Sequence, residues 1–256
     1  KAPFLPWCQS VASRGGASAH EATRFIGLAN SRKRLLYRAA ARLELTRRIL
    51  LGILDDVESR AIVFHESIPE IEDQFLLAVR DGLPASLEHS KLPDRIRSES
   101  IEAFRSGIAR VIVSAKSLVE GFNVPSADLG VIAASSGSVR QRIQSLGRLL
   151  RRKEGRRHAR VVVLYVRDTG DEEIYRSADW EQVVGAERNR YFHWTGVEGH
   201  SEWTEGLTEQ PGPPRTYRPP SADTSTKGLS IGDPYPARAD GDDLRVDAAL
   251  SLRTSD

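Results

Sequence analysis

The feature that most constrains this chain is a series of short apolar runs separated by amphipathic stretches. Ala61-Ile62-Val63-Phe64 opens it, with the length and composition of a strand buried on both faces. Pro69 to Arg80 then reads as a helix, with Ile71, Phe75, Leu76 and Val79 on one side and Gly82 and Pro84 as punctuation. Ala85 to Glu88 is a weak strand. Pro93-Asp94 opens the next helix, with proline in the first turn, and Gly107 closes it. Arg110 to Val113 and Leu129 to Ala133 are strands, Ser138 to Arg151 a helix, Val161 to Val166 the clearest strand and Asp171 to Val184 a last helix. The alternation predicts an α/β fold, a parallel sheet with helices on both faces. Such sheets bind ligands at the carboxyl ends of their strands. The loops of interest are therefore His65-Glu66-Ser67, His89-Ser90-Lys91, Ser114 to Pro125 and Ala134 to Ser138.

Four regions are expected. Residues 1–31 form an N-terminal loop segment, because the first 20 residues are mixed and rich in Gly, Ser and Ala. Residues 32–58 form a basic amphipathic helix leading into the main domain. There, within a helical pattern running from Leu28 to about Val57, Leu35, Ala39, Leu43, Leu50 and Leu54 recur at near-helical spacing. Arg32, Arg34, Arg38, Arg42, Arg47 and Arg48 lie between them as a basic outer face. Residues 59–198 are the main domain. Residues 199–256 are a flexible Pro-rich tail, with Pro211, Pro213, Pro214, Pro219 and Pro220 among Gly, Ser and Thr. Leu229 to Ser255 alternates loosely, as the start of a further small β module would.

Composition excludes several classes. With 39% hydrophobic and 28% charged residues the chain reads as globular and soluble. No stretch approaches the roughly 20 apolar residues of a membrane-spanning helix, and no secretory pattern opens the chain. The single cysteine, Cys8, excludes an intramolecular disulfide and reads as a small apolar residue. The chain starts at Lys1 and has no Met, as a piece of a longer polypeptide would. A net charge of +2 says little, but Arg and Lys crowd Arg32 to Arg48 and Arg140 to Arg160. Local basic surface on a near-neutral chain points to a polyanion partner.

No Gly-x-x-x-x-Gly-Lys-Ser/Thr phosphate loop occurs, no acidic quartet suited to a magnesium–nucleotide, and no Ser-His-Asp arrangement with a nucleophile elbow. The six His are scattered without metal-ligand spacing. His65 and His89 read as loop or core histidines.

What the chain does carry is an ordered set of segments. Ile62-Val63-Phe64-His65-Glu66-Ser67 is followed by Leu87-Glu88-His89-Ser90 and by Phe104-Arg105-Ser106-Gly107. Val111-Ile112-Val113-Ser114-Ala115-Lys116-Ser117-Leu118-Val119-Glu120-Gly121-Phe122-Asn123-Val124-Pro125 comes next, and Gln144-Ser145-Leu146-Gly147-Arg148-Leu149-Leu150-Arg151 closes the set. In order and spacing this resembles the second RecA-like domain of superfamily-two helicases, of excision-repair or restriction-type flavour. The likeness runs from about Arg32 to Tyr175, and the last two segments resemble motifs five and six of that family.

Gln144, Arg148 and Arg151 stand at i, i+4 and i+7, so one helix carries them on one face. Two guanidiniums three residues apart make a fork suited to an oxyanion. The resemblance implies that Arg151 and Arg148 are arginine fingers facing the γ-phosphate of a nucleotide held by another domain, positioned by Gln144. Stabilisation of this kind is worth about 10³ to 10⁵ in rate. Gly147 permits close packing. Ser145 departs from the family, which usually carries Arg directly after the Gln; Arg142 sits three residues earlier. In motif five, Gly121 frees the backbone after a strand. The resemblance places Asn123 near the ribose, with Glu120 coupling the nucleotide and nucleic-acid sites. Ser114 stands for the family's usual Thr and implies a hydroxyl on a phosphate of the tracked strand. Lys116 adds charge, and Ser67 and Ser90 are further phosphate candidates.

The resemblance implies the C-terminal motor domain of an ATP-dependent DNA helicase or translocase. ATP and Mg²⁺ would be held mainly by a first RecA-like domain absent from this chain, so the chain alone is expected to be inactive. Expected partners are that domain and nucleic acid, DNA over RNA, with no membrane. The expected place is intracellular, cytoplasmic or nucleoid-associated. The alternative is a non-catalytic nucleic-acid-binding or scaffold module with a RecA-like fold.

Overall fold

The computed structural model describes residues 4–53, 58–115, 127–135, 159–172, 189–195, 206–212 and 246–253. They fall into two compact units, Lys1–Arg38 and Ala39–Asp256.

The first unit is a helical hairpin, α1 (Phe4–Arg14) and α2 (Ala17–Tyr37). This corrects the expectation of a loop over residues 1–31. Small residues set the composition, but Phe4, Trp7, Cys8 and Val11 recur at i, i+3, i+4 and i+7, a helical stripe. The glycines make the turn, Gly15 at φ 74° and Gly16 at φ 95°, a conformation nearly closed to other residues.

The second unit opens with α3 (Ala40–Ile53). The helical run expected from Leu28 to Val57 is thus broken at Arg38-Ala39. The buried positions of α3 are Arg42, Leu45, Thr46, Ile49 and Leu50, spaced i, i+3, i+4, i+7 and i+8. Arg42 therefore belongs to the inward stripe and not to the outer basic face, because its charge is answered inside the unit, as described below. Leu35, expected on the apolar side, is 58% exposed on α2.

The core is β1 (Ala61–His65), α4 (Ile68–Arg80), β2 (Ala85–Glu88), α5 (Asp94–Ser106), β3 (Val111–Ser114), β4 (Leu129–Ala134) and β5 (Ala159–Val166). These five strands are parallel in the order β2-β3-β1-β4-β5, and the arrangement is RecA-like. Every residue of β1, β3 and β4 is buried, which is why those runs read as continuously apolar. The connections β1→β2 and β2→β3 run in opposite directions along the sheet. Right-handed crossovers then place α4 and α5 on opposite faces. Gly107 closes α5 in the left-handed region at φ 88°.

The sheet continues beyond β5. β8 (Val246–Arg253) pairs antiparallel with β5 along its length, β6 (Asn189–Trp194) pairs with β8, and β7 (Leu207–Gln210) pairs with β6. Leu207–Gln210 and Val246–Arg253 thus join the main sheet, which corrects the reading of the last stretch as the start of a separate β module. An all-parallel sheet would leave β5 with an unpaired edge, and an antiparallel strand from later in the chain covers it. The prolines from Pro213 onward and the remainder of the helix expected after Glu172 lie outside the described residues. Among the described residues no helix is long and apolar enough to cross a membrane.

Candidate functional site at the carboxyl ends of the strands

The strand order makes a crevice at one place. The chain leaving β1 travels toward β2, and the chain leaving β4 travels toward β5, although β1 and β4 are neighbours. Loops diverging from adjacent strands open a cleft at their carboxyl ends. Glu66 closes its floor, its backbone N–H donating to the Ala134 carbonyl at 3.1 Å.

The loop after β1 is ordered by its own histidine. His65 is buried, and its Nδ1 accepts the Ser67 backbone N–H at 3.0 Å. That bond turns the chain into α4 with Ser67 as its extended N-cap residue (φ −101°, ψ 130°). The Ser67 hydroxyl makes no capping bond, so it is available to a ligand at the helix entrance. N-termini of helices present unpaired N–H groups to anions.

The loop after β2 repeats the device. His89 Nδ1 accepts the Lys91 backbone N–H at 3.3 Å, and Leu92 N–H donates to the His89 carbonyl at 3.1 Å. Its Nε2 lies 3.4 Å from Glu72 on α4. Ser90 and Lys91 are left exposed at the tip.

Between these loops stands Ser114, last residue of β3. It is fully buried, and its hydroxyl donates to Glu88 Oε2 at 2.7 Å. Glu88 is itself 1% exposed, and its Oε1 takes Arg97 from α5 at 3.1 Å. Ala115 N–H adds a bond to the Glu88 carbonyl at 3.1 Å. Ser114 as placed presents no oxygen to solvent. A phosphate contact from it requires the Glu88 bond to break, whereas Ser67 and Ser90 need no such change.

On the other side of the crevice, β4 carries a bulge. The register moves from Phe64↔Ile132 to His65↔Ala134, leaving Ala133 as the extra residue. The Ala133 carbonyl accepts Arg42 from α3, which also donates to the Leu164 carbonyl at 3.0 Å and pairs with Asp171. Asp171 in turn accepts the Val166 N–H at 2.8 Å. A short cap fixes that carboxylate: Thr169 Oγ1 takes the Asp171 N–H at 3.1 Å, and Glu172 takes the Asp168 N–H at 2.9 Å. This is close to a capping box, and Thr169-Gly170-Asp171-Glu172 has its sequence form. Ser135, next after β4, is 4% exposed, and its hydroxyl has no partner among the described residues.

Of the residues singled out from the sequence, Ser67, Ser90 and Ser114 stand on neighbouring strand ends of one edge. Lys116, Glu120, Gly121, Asn123, Gln144, Arg148 and Arg151 lie outside the described residues. Sequence reading placed Arg42 on the outer face, did not single out Ser135, and read His65 and His89 as loop or core histidines without the turn-ordering bonds they accept. A His followed two residues later by the start of a helix or turn was the available signal.

The description "Helicase conserved C-terminal domain" matches residues 41–153. That segment, 113 of the 256 residues, is similar to this family. Among curated relatives, the DNA 3′-5′ translocase XPB2 of Sulfurisphaera tokodaii is 36% identical over 80 residues, covering 31% of this chain and 18% of the relative. A relative from Haloarcula marismortui is 28% identical over 129 residues, 50% of this chain and 20% of its own length. The chain thus spans about a fifth of the curated relatives it matches. Among solved structures, the Hef helicase domain of Pyrococcus furiosus is 27% identical with a TM-score of 0.44, covering 53% of this chain and 28% of that one. The loops that follow β1, β2, β3 and β4 all begin inside the matched segment.

Proposed function

We propose that this domain is the C-terminal motor half of an ATP-dependent DNA helicase or translocase. The family match over residues 41–153, enclosing every candidate loop on one sheet edge, carries the reading. ATP is the substrate, bound with Mg²⁺ on a first RecA-like domain that supplies the phosphate loop missing here. Arg151 and Arg148, positioned by Gln144, would meet the γ-phosphate and stabilise the charge that develops during transfer. Asn123 and Glu120, after Gly121, would link nucleotide occupancy to the strand. Ser67 and Ser90, with Lys116, would hold strand phosphates without reading sequence; Ser114 would join them only after leaving Glu88. Closure and reopening of the cleft between the two domains would then move the strand. DNA is favoured over RNA because the XPB2 relative is named for DNA translocation.

The test uses two preparations, this chain and a protein joining it to a first RecA-like domain. With ATP, Mg²⁺ and single-stranded DNA, the chain alone should release no phosphate, and the joined protein should be stimulated by the strand. Turnover by the chain alone would overturn the division of labour. A joined protein that binds DNA without any turnover would favour the non-catalytic module.

A further inference from the structure

The first unit concentrates the chain's positive charge. Residues 1–38 hold seven of the 37 Lys and Arg but one, Glu21, of the 35 Asp and Glu. Their net charge is +6 in a chain of +2, so the remainder is negative. A charge run alone is usually a solvated face. Here it shares its surface with exposed aromatic rings. Phe4 is 60% exposed, Trp7 54% and Phe25 41%. The three rings touch in series: Phe4 stacks on Trp7 at 5.7 Å and meets Phe25 edge-on at 5.1 Å. A contiguous exposed aromatic cluster on a small unit marks a binding surface.

The geometry of α2 puts cations beside those rings. Phe25, Leu28, Arg32 and Leu35 recur at i, i+3, i+7 and i+10, and Arg24, Leu28 and Arg32 at i, i+4 and i+8. These spacings share one face, and that face is exposed, with Leu28 at 63% and Leu35 at 58%. Guanidiniums interleaved with rings match a nucleic-acid strand, whose phosphates alternate with π-faces. A protein partner that covered the apolar part would have to meet the same positive field.

We infer that the α1–α2 hairpin is a second nucleic-acid contact, distinct in residues from the strand-end loops. It takes single-stranded chain by stacking bases on Phe4, Trp7 and Phe25 while Arg24 and Arg32 neutralise phosphates. The contact is indifferent to sequence, since every base offers a π-face, and it requires no ATP. It therefore stands or falls apart from the motor reading.

The experiment is fluorescence anisotropy of a labelled oligothymidylate with the full chain, without nucleotide, across a salt series. Trp7→Ala should weaken binding about ten-fold, in the range of one lost base stack, and Trp7→Phe should restore most of it. Arg24→Ala with Arg32→Ala should lower the slope of log affinity against log salt by about 1.4, at about 0.7 per phosphate contact. Trp7 and both arginines are exposed, and circular dichroism should match the parent chain. Unchanged affinity and slope in these variants would overturn the proposal, as would absence of oligothymidylate binding. So would a finding that Trp7→Ala dissociates a protein oligomer while strand binding persists.

Discussion

Arg42 and Asp171, 129 residues apart in the chain, form an ion pair with side chains only 2% and 6% exposed. Arg42 also donates to Ala133 and Leu164, and Asp171 accepts Val166. One guanidinium thus ties α3 to the carboxyl ends of β4 and β5, beside the crevice. Its apolar neighbours on α3 leave it no other way to be solvated.

Breaking this pair from either side should be costly, because the surviving charge stays buried. Arg42→Met or Asp171→Asn should each lose about 3–5 kcal/mol. The double variant should lose clearly less than the sum, since the two changes remove one interaction. Urea unfolding of the three variants measures this. Single variants within about 1 kcal/mol of the parent would show that the pair is solvated.

Ser114 and Ser67 should separate stability from binding. Ser114→Ala removes a donor from the buried Glu88 and should cost about 1–3 kcal/mol. Ser67→Ala touches an uncommitted, half-buried hydroxyl and should leave stability nearly unchanged while weakening single-strand affinity. Denaturation and strand binding at one fixed salt concentration check both. Equal stability losses at the two positions would contradict the assignment.

These residues also show what a sequence can disclose. The strands and helices from Ala61 to Gly107 were legible because burial on both faces leaves unbroken apolar runs, and because Pro93 and Gly107 mark helix ends locally. Arg42 was not legible. Its helix periodicity is shared with outward arginines, and its partner lies far along the chain. The strand-end position of Ser114 was foreseeable, but its commitment to Glu88 depends on the parallel register that sets β2 beside β3. The α1–α2 hairpin was hidden by small residues, whose stripe of Phe4, Trp7, Cys8 and Val11 outweighs their composition. β8 pairs across the sheet with β5, a long-range choice that composition in a Pro-rich region obscures.

The amino end of the sheet should matter for stability alone. Asp128 there accepts Ser59 Oγ at 2.8 Å and the Arg60 N–H at 2.7 Å, joining the starts of β1 and β4. Asp128→Ala should destabilise by about 1–3 kcal/mol. Strand affinity of the folded fraction should not change. A selective loss of strand affinity would contradict the placement of the site at the opposite end.

Acid should loosen the β6–β7 pairing. Arg190 hydrogen-bonds Glu209 and holds its carboxyl below the ordinary value of 4.5. A depressed folded value means that the contribution is present above the unfolded pKa and is lost as pH falls through the lower folded one. The pair is exposed, so the effect is small and salt-sensitive. Amide protection of Leu207–Gln210, corrected for intrinsic exchange, should fall below about pH 4.5 in the parent chain. Glu209→Gln should abolish that dependence, and an identical profile in both would contradict it.

The proposed function has Arg151 complete an ATPase site on another domain, and Arg151→Ala tests it most directly. The measurement is steady-state ATP hydrolysis at saturating single-stranded DNA, in a protein joining this domain to a first RecA-like domain. Strand affinity is followed at the same salt concentration. The account predicts a fall in turnover of about 10³-fold or more, strand affinity within about two-fold of the parent, and no rescue by Arg151→Lys, since a point charge cannot replace a planar fork. Near-normal turnover, or loss of strand binding in place of turnover, would contradict it.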